Sequence, residues 1–520
     1  MPAGFALPSA QAESVSNAPA VAAFTLKDYL RQVLRHNESI QAQRLEAEVN
    51  RRKARGELGA FEPQLEASIA REVNKRTNNV EQQAALAGQG FFSERNTLYD
   101  GGLETLIPTG GKIRLGYTLD DFVNNVNPYP FLGTTNNPFI QQYQTFVGAT
   151  FTQPLLKNAG FAPTLASYRL AALDSDIAFE QYRRQLMLTV YQAESAYWNL
   201  DFAQEQVRFF DESVAVAREV LNDTRQKLKA GQGAELDVLE AQSALALRNT
   251  KRNEAVQGYY DALGRLQMLT GAWPDPHRPV SSSPEFRVLD DARTTNAPPD
   301  YESCFQQAFS LNPDYLIQEK KIRQDRVRYR VANNQLLPEL DLKAAYGFNG
   351  LGANPDDSWQ VAASEDYPSW SVGLELIVPL GGNLKGRNLY HAARLSLQES
   401  ALKLRGVQTQ IANTLNIAIR KARAWRQSIQ SYRTVVRYNE ELLKTELARL
   451  EAGTVDAHKV LEVEADLLDS RQDLAGALTQ YRGALLEIEV SDGSILKDRG
   501  LDVTRDQLRR QAGPAALSRR

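Results

Sequence analysis

From Leu186 to Leu228, apolar side chains recur at steps of four and three: Leu186, Val190, Ala193, Tyr197, Leu200, Val207, Phe210, Val214, Ala217, Leu221, Thr224 and Leu228, with Gln204 breaking the pattern. Heptad spacing of this kind predicts a long helix that buries one seam against neighbouring helices. From Tyr168 to Ala230 the helical pattern covers 63 residues, roughly 95 Å at ~1.5 Å per residue. Two shorter helical stretches, about 24–61 and 235–270, would have to lie end to end to cover it. A period of two appears elsewhere. Leu340, Leu342, Ala344, Tyr346 and Phe348 alternate with Asp341, Lys343, Ala345 and Gly347, and Trp370, Val372, Leu374, Leu376 and Val378 alternate with Ser371, Gly373, Glu375 and Ile377. Both runs predict strands with one apolar face and one mostly polar face. Weaker strands are expected at 65–73 and 146–151, and a hairpin at 103–107 and 113–119 around a Pro-Thr-Gly-Gly turn.

These elements occur twice. Residues 37–63 lie ungapped on 312–338 at an offset of 275, and 168–271 on 390–493 at an offset of 222. Matching positions in the second pair include Tyr168/Tyr390, Ala230/Ala452, Gly231/Gly453, Val238/Val460, Leu239/Leu461, Glu240/Glu462, Tyr259/Tyr481 and Leu263/Leu485. Self-similarity at fixed offsets signals duplicated structure. The expected organisation is a disordered start (1–23), a first repeat (24–271), a Pro-rich linker (272–299), a second repeat (300–493) and a disordered basic tail (494–520). The offset falls to 225 at Pro154 and Pro379, which places about fifty extra residues between the two strands of the first repeat. They are expected to form a long loop over about 74–143 that includes the hairpin and the Asn- and Pro-rich 124–138. Whether the hairpin joins the sheet is not decided by its sequence.

Four principal strands flanked by long helices have no obvious globular core to cover, and an open four-stranded sheet leaves two bare edges. Closing the sheet between subunits answers both difficulties. Composition narrows the setting. The 60 Lys and Arg nearly cancel the 63 Asp and Glu, so a net charge of -3 gives no field for nucleic acid. The longest apolar stretch, Ala18–Phe24, has seven residues, against about 20 for a membrane-spanning helix. Barrel strands escape that test because each needs only ~9–11 alternating residues. Ala10, Gln11 and Ala12 are compatible with the remnant of a secretion signal. Cys304 is the single cysteine, so no intrachain disulfide forms. His36, His277, His391 and His458 are scattered, and Gly110-Gly111-Lys112 and Gly231-Gln232-Gly233 are incomplete as phosphate or dinucleotide motifs. No catalytic, cofactor or metal site is expected.

The duplicated helix, strands, long helix, turn and helix carry a resemblance to the TolC-like outer-membrane efflux proteins over about 24–493. The strand-to-helix junctions Phe-Thr-Gln-Pro-Leu-Leu (151–156) and Ile-Val-Pro-Leu-Gly-Gly (377–382) support it. So do the turns Ala230-Gly231 with Asp237-Val238, and Ala452-Gly453-Thr454 with Val460-Leu461. The resemblance implies a mixed α and β fold: long antiparallel coiled-coil helices, four strands per chain, and a trimer with a twelve-stranded barrel and an α-helical periplasmic tunnel. It also implies an exit duct in the outer membrane of a Gram-negative bacterium, working with a periplasmic adaptor and an inner-membrane pump of RND, ABC or MFS type. Independently, four strands are too few to close a transmembrane barrel, so several chains must contribute. Alternation then assigns Tyr346, Phe348, Trp370, Val372 and Leu374 to lipid. Gly231 and Gly453 suit left-handed helix caps at the tip turns, where the resemblance implies adaptor docking. Asp237, Glu240, Lys459 and Glu462 are candidate gate residues, brought together by threefold repetition. Because Lys459 stands where the family often has aspartate, it is expected to pair with Asp237 or Glu240. The competing reading is a soluble periplasmic coiled-coil scaffold or adaptor.

Overall fold

The chain's structure, a computed structural model, describes residues 22–85, 90–125, 140–271, 286–288 and 297–511. The Ala-x-Ala segment, much of the Asn- and Pro-rich stretch, most of the Pro-rich linker and the last nine residues lie outside them. In chain order the elements are β1 (Ala22–Phe24), α1 (Leu26–His36), α2 (Glu38–Gly56), β2 (Gln64–Thr77), α3 (Val80–Ala85), β3 (Phe91–Leu106), β4 (Lys112–Asn124) and β5 (Ile140–Pro154). Then come α4 (Phe161–Thr164), α5 (Ala166–Lys229), α6 (Glu235–Leu269), β6 (Phe286–Val288), α7 (Tyr301–Leu311), α8 (Pro313–Asn334), β7 (Glu339–Gly352) and α9 (Pro355–Ala363). The last are β8 (Pro368–Ile377), α10 (Leu384–Glu451), α11 (Ala457–Asp492), α12 (Ile495–Asp498) and α13 (Arg505–Gln511).

The repeat is visible in the boundaries. Both ends of α1 shifted by 275 are those of α7, and the last residue of α5 and the first of α6 shifted by 222 are Glu451 and Ala457. Asn37 and Asn312 end α1 and α7 with nearly the same extended backbone, and each side-chain carbonyl accepts from the first turn of the next helix.

The chain divides into two compact units, one of residues 1–45, 180–316 and 407–520, the other of 46–179 and 317–406. In the first, most of the predicted seam of α5 is buried: Val190, Ala193, Tyr197, Leu200 and Ala217 have no exposed surface, Leu186, Val214, Leu221 and Thr224 very little, and Val207, Phe210 and Leu228 are half-buried. A second core joins α7, α10 and α11 through Cys304, Ala308, Leu415, Ala418, Ala422, Ile429, Tyr481 and Ile488. Residues 494–511 depart from the disordered tail expected of them. Gly493 ends α11 in the left-handed region, at φ 83°. Ile495 and Leu496 then pack into the unit with no exposed surface. The Arg499 guanidinium donates to the Glu194 carboxylate at 3.0 and 2.9 Å and to Glu489 at 2.8 Å. Basic composition concealed an apolar pair and an arginine with one buried and one half-buried partner.

The second unit holds one antiparallel sheet of six strands in the order β2-β3-β4-β5-β7-β8. The four expected strands are there as β2, β5, β7 and β8; between β2 and β5 the sheet also contains β3 and β4. Much of the segment expected as a loop over 74–143 is therefore sheet. Its hairpin pairs with both flanking strands, Gln64↔Glu104 to Thr77↔Phe91 on one side and Lys112↔Thr152 to Asn124↔Ile140 on the other. The sequence signal was weak because β3 carries Asn96, Asp100, Gly101, Gly102 and Glu104, which dilute its alternation.

Candidate functional site

Two places in the structure gather the residues singled out from the sequence. The first is the sheet, whose strand pairing sorts side chains by face. One register line runs Leu65, Leu103, Leu115, Ala149, Tyr346 and Trp370 across all six strands. Trp370, Val372 and Leu374 are 74%, 65% and 68% exposed, and Leu65 and Ile69 on the far strand 81% and 74%. Tyr346 is half exposed and stacks edge-on with the half-buried Phe348. The next line, on the opposite face, reads Glu66, Gly102, Gly116, Gly148, Gly347 and Ser369. That face is charged: Lys112 pairs with Glu104 at 2.8 Å, Arg114 with Asp100, and Lys343 with Glu375. A sheet with one exposed apolar face and an ion-paired opposite face is arranged as a wall between a greasy and a wet phase. Among the described residues, β2 and β8 each keep one unpaired edge.

Three asparagines set the ends of the wall. Asn158 and Asn383 stand at the same offset of 225 as the two junction prolines, and both adopt positive φ, 63° and 50°. The Asn334 side chain donates to the Leu156 carbonyl at 3.0 Å and accepts from the Asn158 amide at 2.6 Å. Asn383 donates to the Gln335 carbonyl at 2.8 Å and accepts from the Gly386 amide at 3.0 Å. No periodicity or motif in the sequence announces them. Extending the Pro154/Pro379 alignment by four residues would have found two of the three.

At the far end of the β7–β8 hairpin, α9 packs on the apolar face. Ser358 is wholly buried, its hydroxyl 2.7 Å from that of Thr145, and Trp359 meets the Tyr117 ring edge-on. Gly350 makes this approach possible, because any Cβ there would run into the Ser358 carbonyl.

The second place is the pair of tip turns in the other unit. Gly231 and Gly453 have φ of 74° and 72°. After α5 the Gln232 amide donates to the Lys227 carbonyl at 2.9 Å and the Gly231 amide to Leu228 at 3.0 Å. After α10, Thr454 reaches Arg449 at 2.9 Å and Gly453 reaches Leu450 at 3.1 Å. Both turns thus carry the same two-bond cap, with glycine at its left-handed position. The Lys227 ammonium links them by donating to the Leu450 carbonyl at 2.8 Å.

The four candidate polar residues divide. Asp237 accepts from the Ala234 amide at 3.1 Å and so closes the first turn of α6. Lys459 pairs with Glu462 at 2.7 Å on its own helix, not with Asp237 or Glu240 as expected. Three residues apart, they meet on one helix face without reaching across the tip. That hydrogen bond raises the Lys459 pKa and lowers that of Glu462. Glu240 lies 4.0 Å from His458 Nδ1. A fifth group went unrecognised. Arg248 of α6 donates to Ser213 at 3.1 Å and to the Leu461 carbonyl at 3.0 Å, and forms an ion pair with Glu464 of α11. Arg248 and Glu464 are both buried. Ser470 occupies the position matching Arg248 in the second repeat, so the repeat comparison gave no hint of it.

The sequence pattern of the family described as "Outer membrane efflux protein" matches residues 124–272 and 304–494. The chain is 24% identical over 373 residues to the outer membrane protein TolC of Vibrio cholerae, covering 68% of this chain and 78% of that one. It is also 24% identical over 373 residues to the proteases secretion protein PrtF of Dickeya chrysanthemi, covering 70% and 76%. Among solved structures, the outer-membrane channel OprN superposes with a TM-score of 0.61 at 16% identity, covering 90% of this chain and 89% of that one. The Campylobacter jejuni CmeC outer membrane channel gives 0.60 at 13% identity, covering 97% and 99%. With its family pattern matched over most of its length and a fold shared with outer-membrane channels, the chain belongs to the outer membrane efflux protein family.

Proposed function

We propose that the protein is an outer-membrane exit duct through which an inner-membrane pump, joined by a periplasmic adaptor, discharges substrate from a Gram-negative cell. The observation that carries this reading is the apolar face of the sheet, continuous and exposed from Leu65 to Trp370, backed by a face of ion pairs. A soluble scaffold would have to cover that face; a bilayer covers it at no cost in unpaired backbone, provided the sheet closes. Six strands cannot close alone, which supports a homotrimer. The coiled-coil helices then serve as the periplasmic conduit, and passage, not catalysis, is the protein's work. Cell fractionation tests the placement. The protein should remain with outer-membrane fragments and need detergent for release, whereas recovery from the aqueous fraction would return the scaffold reading.

Gating belongs to the tip. Threefold repetition would gather copies of Asp237, Glu240 and Glu462 around an axis, with Lys459 partly neutralising its neighbour, and would favour cations at the mouth. The turns at Gly231 and Gly453 would meet the adaptor. Since Asp237 also caps α6, charge is best removed with shape retained. Asp237→Asn with Glu462→Gln should weaken cation preference or raise conductance in planar bilayers; traces like those of the parent would dismiss the gate.

A further inference from the structure

We infer that three copies close a barrel of eighteen strands, six from each, with β2 of one copy paired to β8 of the next. This rests on the membrane-channel reading and departs from the twelve strands implied by the resemblance. The β3–β4 hairpin is made as wall. It is paired with β2 from Phe91 to Glu104 and with β5 along all of β4, its Leu103 and Leu115 continue the apolar line, and Arg114–Asp100 and Lys112–Glu104 continue the charged face. Six is an even number, so β2 and β8 run in opposite directions and meet antiparallel around the ring.

The repeat also supplies a register for the contact. Within one chain the first repeat meets the second where β5 pairs with β7, with Pro154 opposite Asp341. Shifted by the offsets of 225 and 275, that pair becomes Pro379 and Glu66, which puts Ser371 opposite Asn74 and Val372 opposite Val73. One register line enters a copy at Gln64 and leaves at Ser371, so the next copy is displaced by ten residues. Ten residues at ~3.3 Å against six strands at ~4.8 Å give a tilt of about 49°, slightly steeper than the ~35–45° usual for outer-membrane barrels. Aligning the periplasmic ends instead displaces it by six residues, for about 35°. The closure is geometrically ordinary either way. At equal tilt, eighteen strands enclose a bore about 1.5 times as wide as twelve. The glycine line from Gly102 to Gly347 lies on its inner face, adding no side chains there.

Electron cryomicroscopy of the detergent-purified trimer counts the strands: eighteen is expected, and twelve overturns the inference while leaving the channel reading intact. A monomer would sink both. Disulfide trapping is an independent check, because native Cys304 is buried and its thiol pKa is pushed up to about 11 by that burial. Ala70→Cys with Leu98→Cys should cross-link within one chain, since those positions face each other. Ala70→Cys with Phe146→Cys should not; they would meet only if the hairpin were expelled and β2 lay against β5. The reverse outcome refutes the eighteen-strand wall.

Discussion

Single residues decide how the parts hold. Burial raises the Glu489 pKa to about 7, against the pull of Arg499. Its folded value exceeds its unfolded one, so the stability tied to its proton is full below about pH 4.5 and lost as pH rises through about 7. Thermal melts between about pH 5 and 8 should therefore show declining stability with rising pH, and Glu489→Gln should flatten the slope. Arg248 poses a different problem. Truncating one partner of a buried ion pair strands the other, so Arg248→Ala should lower stability by about 3–5 kcal/mol. Arg248→Met with Glu464→Leu should recover much of that loss in urea unfolding. At Gly350 the obstacle is steric. Gly350→Ala would lift α9 from the sheet, and limited proteolysis should then cut within 353–367 faster than in the parent.

At the level of elements, the long helices were legible because a heptad seam repeats its signal a dozen times. The junctions were legible because proline can occupy few places in a strand or helix. Tip caps were readable for a similar reason, since glycine in the left-handed region is a local requirement. Gly231→Ala or Gly453→Ala should each cost about 1–2 kcal/mol, seen as a lower midpoint in urea unfolding. What escaped notice depends on partners distant in sequence. β3 earns its place in the sheet from Arg114 meeting Asp100 and from pairing on both sides, not from its own alternation. Arg248 and Glu464 lie 216 residues apart, and neither has a flanking pattern that announces the other. Lys459 was read against residues of the opposite turn, yet its own helix supplied an acceptor three positions on.

For the whole molecule, the native particle should have the mass of three chains in detergent, because the sheet cannot complete its hydrogen bonds in one copy. Before assembly, each newly made chain must cross an aqueous compartment with a greasy sheet and two backbone edges ready to zip onto anything extended. Any strand would do, including one from a misaligned sibling. A chain kept from its neighbours is therefore unusually adhesive, and slowing its assembly should leave aggregated chains before it leaves leaky channels.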